Sequence, residues 1–188
     1  MQSFTHVLAA GVITGLLVTY SSSWSLLLLL VTAFLLGILS HGVIDPFGKA
    51  TFHPPDIPRG KEPGSRFWLP FHVFMYLAMA ASIVWLILAF QPYWWLIVSA
   101  IVGSMFPDII DLGYRGYVNL RSGRKKGRTW STSTEMTFHR FLCWPMEQLT
   151  RRVLPNLAHD PKGALVELVL DAALIILLLW WLRVPILL

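Results

Sequence analysis

An all-α, polytopic integral membrane protein is the fold class this sequence predicts, and three observations predict it. The 188 residues are 55% hydrophobic and only 13% charged, with a mean hydropathy of +0.61. A soluble domain carries nearer a quarter charged residues. The apolar residues gather into five runs close to the length that crosses a bilayer as a helix, about 20 residues with about 17 tolerated. The basic residues fall almost wholly in two of the connections between those runs. The length suits a single membrane domain, 1–188.

The expected spans are 4–20, 25–45, 68–90, 93–111 and 164–183. The first is the shortest. The residues before it lack the basic stretch of a secretory signal, so it is expected to be retained. Residues 21–24 and 91–92 are tight connections, which makes hairpins of the first two and the next two helices. The long polar connections, 49–67 and 112–163, then share one side with the N-terminus. They hold fourteen of the fifteen Lys and Arg residues, and only Arg183 falls opposite. Positive residues mark the cytoplasmic side, so both long loops are expected to be cytoplasmic and the membrane to be the plasma (inner) membrane. Trp94, Trp95, Trp180 and Trp181 fall near the other end, where interfacial tryptophans collect.

Six candidate metal ligands fall on the loop side: His6, His41, Asp45, His72, Asp108 and Asp111. His41 and Asp45 are four apart at the end of the second span, and Asp108 and Asp111 are three apart at the end of the fourth. Such spacings share a helix face. Pro46 is expected to take Asp45 out of helical geometry, and Pro107 to deprive the Gly103 carbonyl of its donor. The three carboxylates then sit at helix C-termini, where the dipole is unfavourable to a negative charge. A bound cation offsets that penalty, and histidines at the starts of the first and third spans can add imidazole nitrogens. For each residue alone, the plain alternative is a helix cap meeting headgroups or water. As a set, mixed histidine and carboxylate donors suit a divalent metal, zinc or manganese, more than magnesium. The one cysteine, Cys143, excludes a disulfide framework and a cysteine-rich zinc site.

Other polar residues leave alternatives open. His139 lies in the long loop, either over the site as a ligand, general acid or phosphate contact, or in solvent. His53 follows Asp45 by eight residues, and His159 is the weakest candidate. Glu167 lies in the first turns of the last span, where the dipole alone accounts for it. Asp171 lies deeper, either orienting a ligand histidine or pairing with another helix. The basic run at 121–128 suits anionic lipid headgroups. It lacks the aromatic partners of a nucleic-acid module, so nucleic acid is not the expected partner. Residues 138–154 mix Phe141, Leu142 and Trp144 with Arg140, Arg151 and Arg152. That pattern predicts an interfacial amphipathic segment interrupted at Pro145.

Thr5-His6 at the head of an apolar helix, Leu39-Ser40-His41-x-x-x-Asp45, and Gly103-Ser104-x-x-Pro107-Asp108-x-x-Asp111 together resemble motifs of the membrane-bound metal-dependent hydrolases. The resemblance covers roughly residues 5–111. In that family the PDxxD-type element precedes the LSHxxxD helix, whereas here it follows. Of the family's HRGxTHS element only His139-Arg140 is present. The resemblance implies metal binding more than any particular substrate.

The function expected is a metal-dependent hydrolase at the cytoplasmic interface, acting on a lipid phosphoester such as a phospholipid. The metal is expected among His6, His41, Asp45, His72, Asp108 and Asp111, with Asp108, Asp111 and His139 as candidate catalytic groups. Two alternatives stand beside it. A metal or proton transporter calls for ionisable groups near the midplane. A non-catalytic scaffold, with the basic loop binding lipid or a partner, requires that the six candidates stay apart.

Overall fold

The computed structural model describes residues 3–21, 23–50, 65–121, 138–154, 156–157, 160 and 162–183. Its six α-helices are α1 (Ser3–Tyr20), α2 (Leu26–Ile44), α3 (Ser65–Ala89), α4 (Trp94–Arg121), α5 (Phe138–Val153) and α6 (Lys162–Arg183). A 3-10 helix, Asp45–Ala50, continues directly from α2. The described residues are thus all-helical, as the composition predicts.

Among the described residues, three helical stretches are long and apolar enough to cross a membrane: Leu26–Phe47, Leu69–Ala89 and Lys162–Leu182. Less than a third of each is buried inside the protein (28%, 22% and 17%), so most of their hydrocarbon surface faces outward. Leu35, Leu39 and Val43 on α2, Val73, Leu77 and Leu88 on α3, and Val169 and Ile176 on α6 are all exposed. A helix that is apolar all round is a core or membrane helix. Two shorter apolar stretches, Phe4–Tyr20 and Trp94–Ile110, belong to α1 and α4.

The short first helix is the hub of the bundle. α1 packs against α2, α3, α4 and α6. Of residues 4–20, only Leu16, Thr19 and Tyr20 are exposed. It contributes to both hydrophobic clusters, joining Phe71, Met75, Leu86 and Leu178 on one side and Leu29, Ala33, Leu96 and Ala100 on the other. Small residues let four neighbours close on it. A Cβ on Gly11 would lie 2.7 Å from Leu86 Cδ2 and 3.2 Å from Leu178 Cδ2. α1 is therefore apolar on all faces because protein surrounds it.

α2 and α4 cross with their backbones in contact. A Cβ on Gly37 would collide with the Ala100 carbonyl, and one on Gly103 with the Phe34 carbonyl. The Ser99 hydroxyl donates to the Leu30 carbonyl across the same seam at 2.8 Å. Such close approach is how membrane helices gain contact without a hydrophobic drive between them.

Three local expectations are corrected. α4 does not end at Asp111 but runs to Arg121 with Pro107 inside it. A proline in a helix costs one donor and can be accommodated as a kink. Asp108 and Asp111 are therefore not at a helix C-terminus, and the dipole argument fails for them. Asp45 does cap α2, but its backbone is helical (φ −60°, ψ −37°) despite the following Pro46, and its N–H donates to the His41 carbonyl. Pro145 does not interrupt α5, which is continuous around it. The carbonyl that Pro145 leaves without a helical donor belongs to Phe141, and both residues are exposed.

Candidate functional site

The α2–α4 crossing sets the position of His41. Below the glycine contacts, the next turn of α2 lays the imidazole against α4, where Nδ1 lies 2.8 Å from the Ser104 carbonyl oxygen. A carbonyl only accepts, so Nδ1 carries the proton and donates. That fixes the tautomer, and the Nε2 lone pair is the coordinating one. His41 is fully buried. Its Nε2 lies 3.8 Å from Asp108 Oδ1, and the Asp108 side chain is 63% exposed. That distance is too long for a hydrogen bond, but it places an accessible carboxylate beside a buried imidazole.

α1 supplies the wall on another side. The His6 ring stacks on His41 with centroids 4.8 Å apart and planes 14° from parallel. His6 is itself 3% exposed. Thr5, its neighbour in sequence, faces a different helix: its hydroxyl donates to Asp171 Oδ1 on α6 at 2.7 Å. One turn of α1 thus touches two polar centres.

α5 closes the end of α2. Gly42 is the contact point, since a Cβ there would lie 2.8 Å from Leu142 Cγ and 3.0 Å from the Leu142 carbonyl oxygen. This close approach brings the buried Cys143 to the same end as His41 and Asp45. One ligand atom from each of His41, Asp45 and Cys143 lies within 4.8 Å of the others. Among the described residues, no other group of three or more His, Cys, Asp or Glu side chains comes this close. Zinc bonds of about 2.0–2.3 Å put tetrahedral ligands about 3.3–3.8 Å apart. The three donors lie within about an ångström of the spacing of a filled site. The set of nitrogen, carboxylate oxygen and sulfur fits a divalent metal.

The six sequence candidates divide. His41 and Asp45 are in the three-donor group. Asp108 and His6 touch His41 but are not in that group. His72 is buried on α3, its ring edge-on to Phe71 at 5.8 Å, and it is not a member. The backbones of Asp111 and His139 lie in α4 and α5, and their side chains lie outside the described residues. His53, His159 and most of the 121–128 run are also outside them.

Cys143 is the residue that sequence reasoning missed as a donor. Its signal was its place in the amphipathic segment, on the buried side between exposed Phe141 and Trp144. Glu167 is the other difference. It is fully buried, and Asp171, four residues on, is 2% exposed. A helix-dipole contact with solvent does not account for a fully buried carboxylate. Asp171 Oδ2 has no hydrogen-bond partner among the described residues.

No protein-family model, curated protein or solved structure matches this chain.

Proposed function

We propose that this chain is a membrane-embedded, metal-dependent hydrolase that works at the cytoplasmic interface on a lipid phosphoester. The observation that carries the reading is the meeting of His41, Asp45 and Cys143 at one end of the bundle. Three protein donors would leave a fourth tetrahedral position for water or substrate, as in catalytic rather than structural zinc. In this reading all five apolar helices cross the plasma (inner) membrane. α1 crosses because it is enclosed along its length by helices that do, and its 18 residues at about 1.5 Å each nearly match the roughly 30 Å hydrocarbon core. The fourteen-to-one split of Lys and Arg puts the site on the cytoplasmic side. Membership of the metal-dependent hydrolase family, carried by the residues around His6, His41, Asp45, Asp108 and Asp111, is part of the same proposal.

A bound divalent ion at such a site polarises a phosphoryl oxygen and lowers the pKa of a water. The chain's own residues supply the rest. Ser104 holds the His41 ring through Nδ1, so Nε2 keeps one direction. Asp108, exposed beside that ring, is placed to take a proton from an attacking water. α5 presents Phe141 (80% exposed) and Trp144 (54%) outward, where they can enter the headgroup boundary and bring the mouth of the site to lipid. The basic residues of the long loops attract anionic headgroups to the same face.

The test is phosphate or phosphoester release from anionic phospholipid vesicles by the purified chain, with and without chelator. Metal-dependent release that is lost in Asp108→Asn supports the reading. Metal binding without hydrolysis of phospholipids or soluble phosphodiesters overturns it.

One observation favours a second reading, cation or proton transport. Glu167 and Asp171 are both buried on α6, and if α6 crosses the membrane, ionisable groups buried on it usually mark a functional site. Proteoliposome flux that disappears in Asp171→Asn separates it from hydrolysis.

A further inference from the structure

The donor set at the end of α2 carries information about which metal it takes and what that metal does to α5. Cys143 is 5% exposed and is the only cysteine of the chain. It is held to His41 and Asp45 by a helix, α5, that lies almost in backbone contact with α2 at Gly42 and Leu142. α5 also packs on the Asp45–Ala50 turn and on α4. The three donors therefore come from the two sides of one helix–helix seam. His41 lies on α2, Asp45 caps it, and Cys143 belongs to the helix that covers it.

Resting on the metal-site reading above, we infer that Cys143 binds the ion as a thiolate, that the ion belongs to the borderline-soft zinc class, and that it latches α5 onto the end of α2. On binding, the Cys143 thiol loses its proton to solvent as the metal–sulfur bond forms. The divalent charge then meets one carboxylate, one thiolate and one neutral imidazole, so the ion and its three donors together carry no net charge. That balance suits a place among apolar helices, where uncompensated charge is costly. A thiolate also decides between the two metals that histidine and carboxylate leave open. Sulfur favours zinc, cobalt or cadmium, whereas manganese and magnesium prefer oxygen. The ion joins α2 to α5 through three bonds that neither helix supplies alone, so its removal frees α5 to move off Gly42.

The test uses the full chain in detergent with Co2+ alone as the probe. Sulfur bound to Co2+ gives an intense near-ultraviolet charge-transfer band, and with a single cysteine only Cys143 can supply the thiolate. The expected result is one Co2+ per chain with that band, displaced by Zn2+ and not by Mg2+ or Mn2+. Cys143→Ser is expected to lose the band and weaken Co2+ binding by about 100-fold or more, beyond the roughly 10–100-fold cost of losing an outer partner. Gly42→Val, which forces α5 outward without touching a donor, is expected to weaken the band as well. Bound Co2+ with no charge-transfer band in the parent overturns the thiolate and leaves the metal reading standing. No bound Co2+ or Zn2+ at all overturns both. Because the parent alone decides these outcomes, a variant that fails to fold does not blur them.

Discussion

Two polar centres lie on either side of α1, and they differ in donors and in access. The centre at the end of α2 gathers nitrogen, oxygen and sulfur from α2 and α5, and an exposed carboxylate, Asp108, stands beside it. The centre on α6 has Asp171, which accepts from the Thr5 hydroxyl, with Glu167 one turn away, and each of these residues is at least 98% buried. The first includes the softer donors a transition metal favours and has an exposed carboxylate beside it. The second is closed to the surface, its carboxylates buried. Ionisable residues in a membrane protein are therefore not one class. They differ in which donors converge and in whether one of them reaches the surface.

The comparison breaks most visibly if the α2–α4 seam is opened. Gly103→Val drives a side chain into the Phe34 backbone, and backbone yields less than side chains. The cost is expected to be at or above the roughly 1–3 kcal/mol of ordinary overpacking, with metal binding lost because Ser104 moves away from His41. Thermal unfolding in detergent together with metal titration checks this; a variant of parental stability with full metal binding contradicts the packing assigned to the seam. Comparable in size is His41→Ala. It removes a fully buried ring along with its hydrogen bond to Ser104 and its stack on His6. A loss of about 2–4 kcal/mol is expected, and added Zn2+ should no longer raise the unfolding temperature, since ligand stabilisation requires binding to the native state.

Asp171→Asn sharpens the same contrast from the other side. Asparagine still accepts the Thr5 hydroxyl bond, so stability should change by no more than about 1 kcal/mol. Co2+ affinity should stay within about twofold of the parent if the two centres are independent. A large fall in affinity would make them one network, joined through the Thr5–His6 turn. The smallest effect on metal binding is expected at the far end of the bundle. There the Trp181 indole N–H donates to the Thr19 hydroxyl at 2.9 Å. Trp181→Phe should cost about 0.5–1.5 kcal/mol and leave metal binding untouched, and chemical unfolding paired with Co2+ titration measures both.

Much of this architecture was legible in the sequence because the bilayer imposes a length and a polarity on whatever crosses it. The apolar runs mark where helices lie, and the i,i+4 spacing of His41 and Asp45 puts them together from one helix alone. What was not legible depends on packing between elements. No local signal says that α1 is the hub, because a helix apolar all round reads alike whether lipid or protein surrounds it. Pro145 reads as an interruption and Pro107 as a backbone defect near the end of its span, yet each costs one backbone donor and lies inside a continuous helix. Cys143 was passed over because a lone cysteine carries no spacing, and only the contact of Leu142 with Gly42 brings it to His41. Glu167 looked explicable at a helix start until its burial was known.

The central claim is that His41, Asp45 and Cys143 hold one metal ion. X-ray absorption at the zinc edge, on protein purified from zinc-replete cells, tests it most directly. The account predicts one zinc per chain with a single sulfur neighbour at about 2.3 Å and nitrogen or oxygen neighbours at about 2.0–2.2 Å. Protein that retains no zinc, or zinc with no sulfur in its shell, would contradict it.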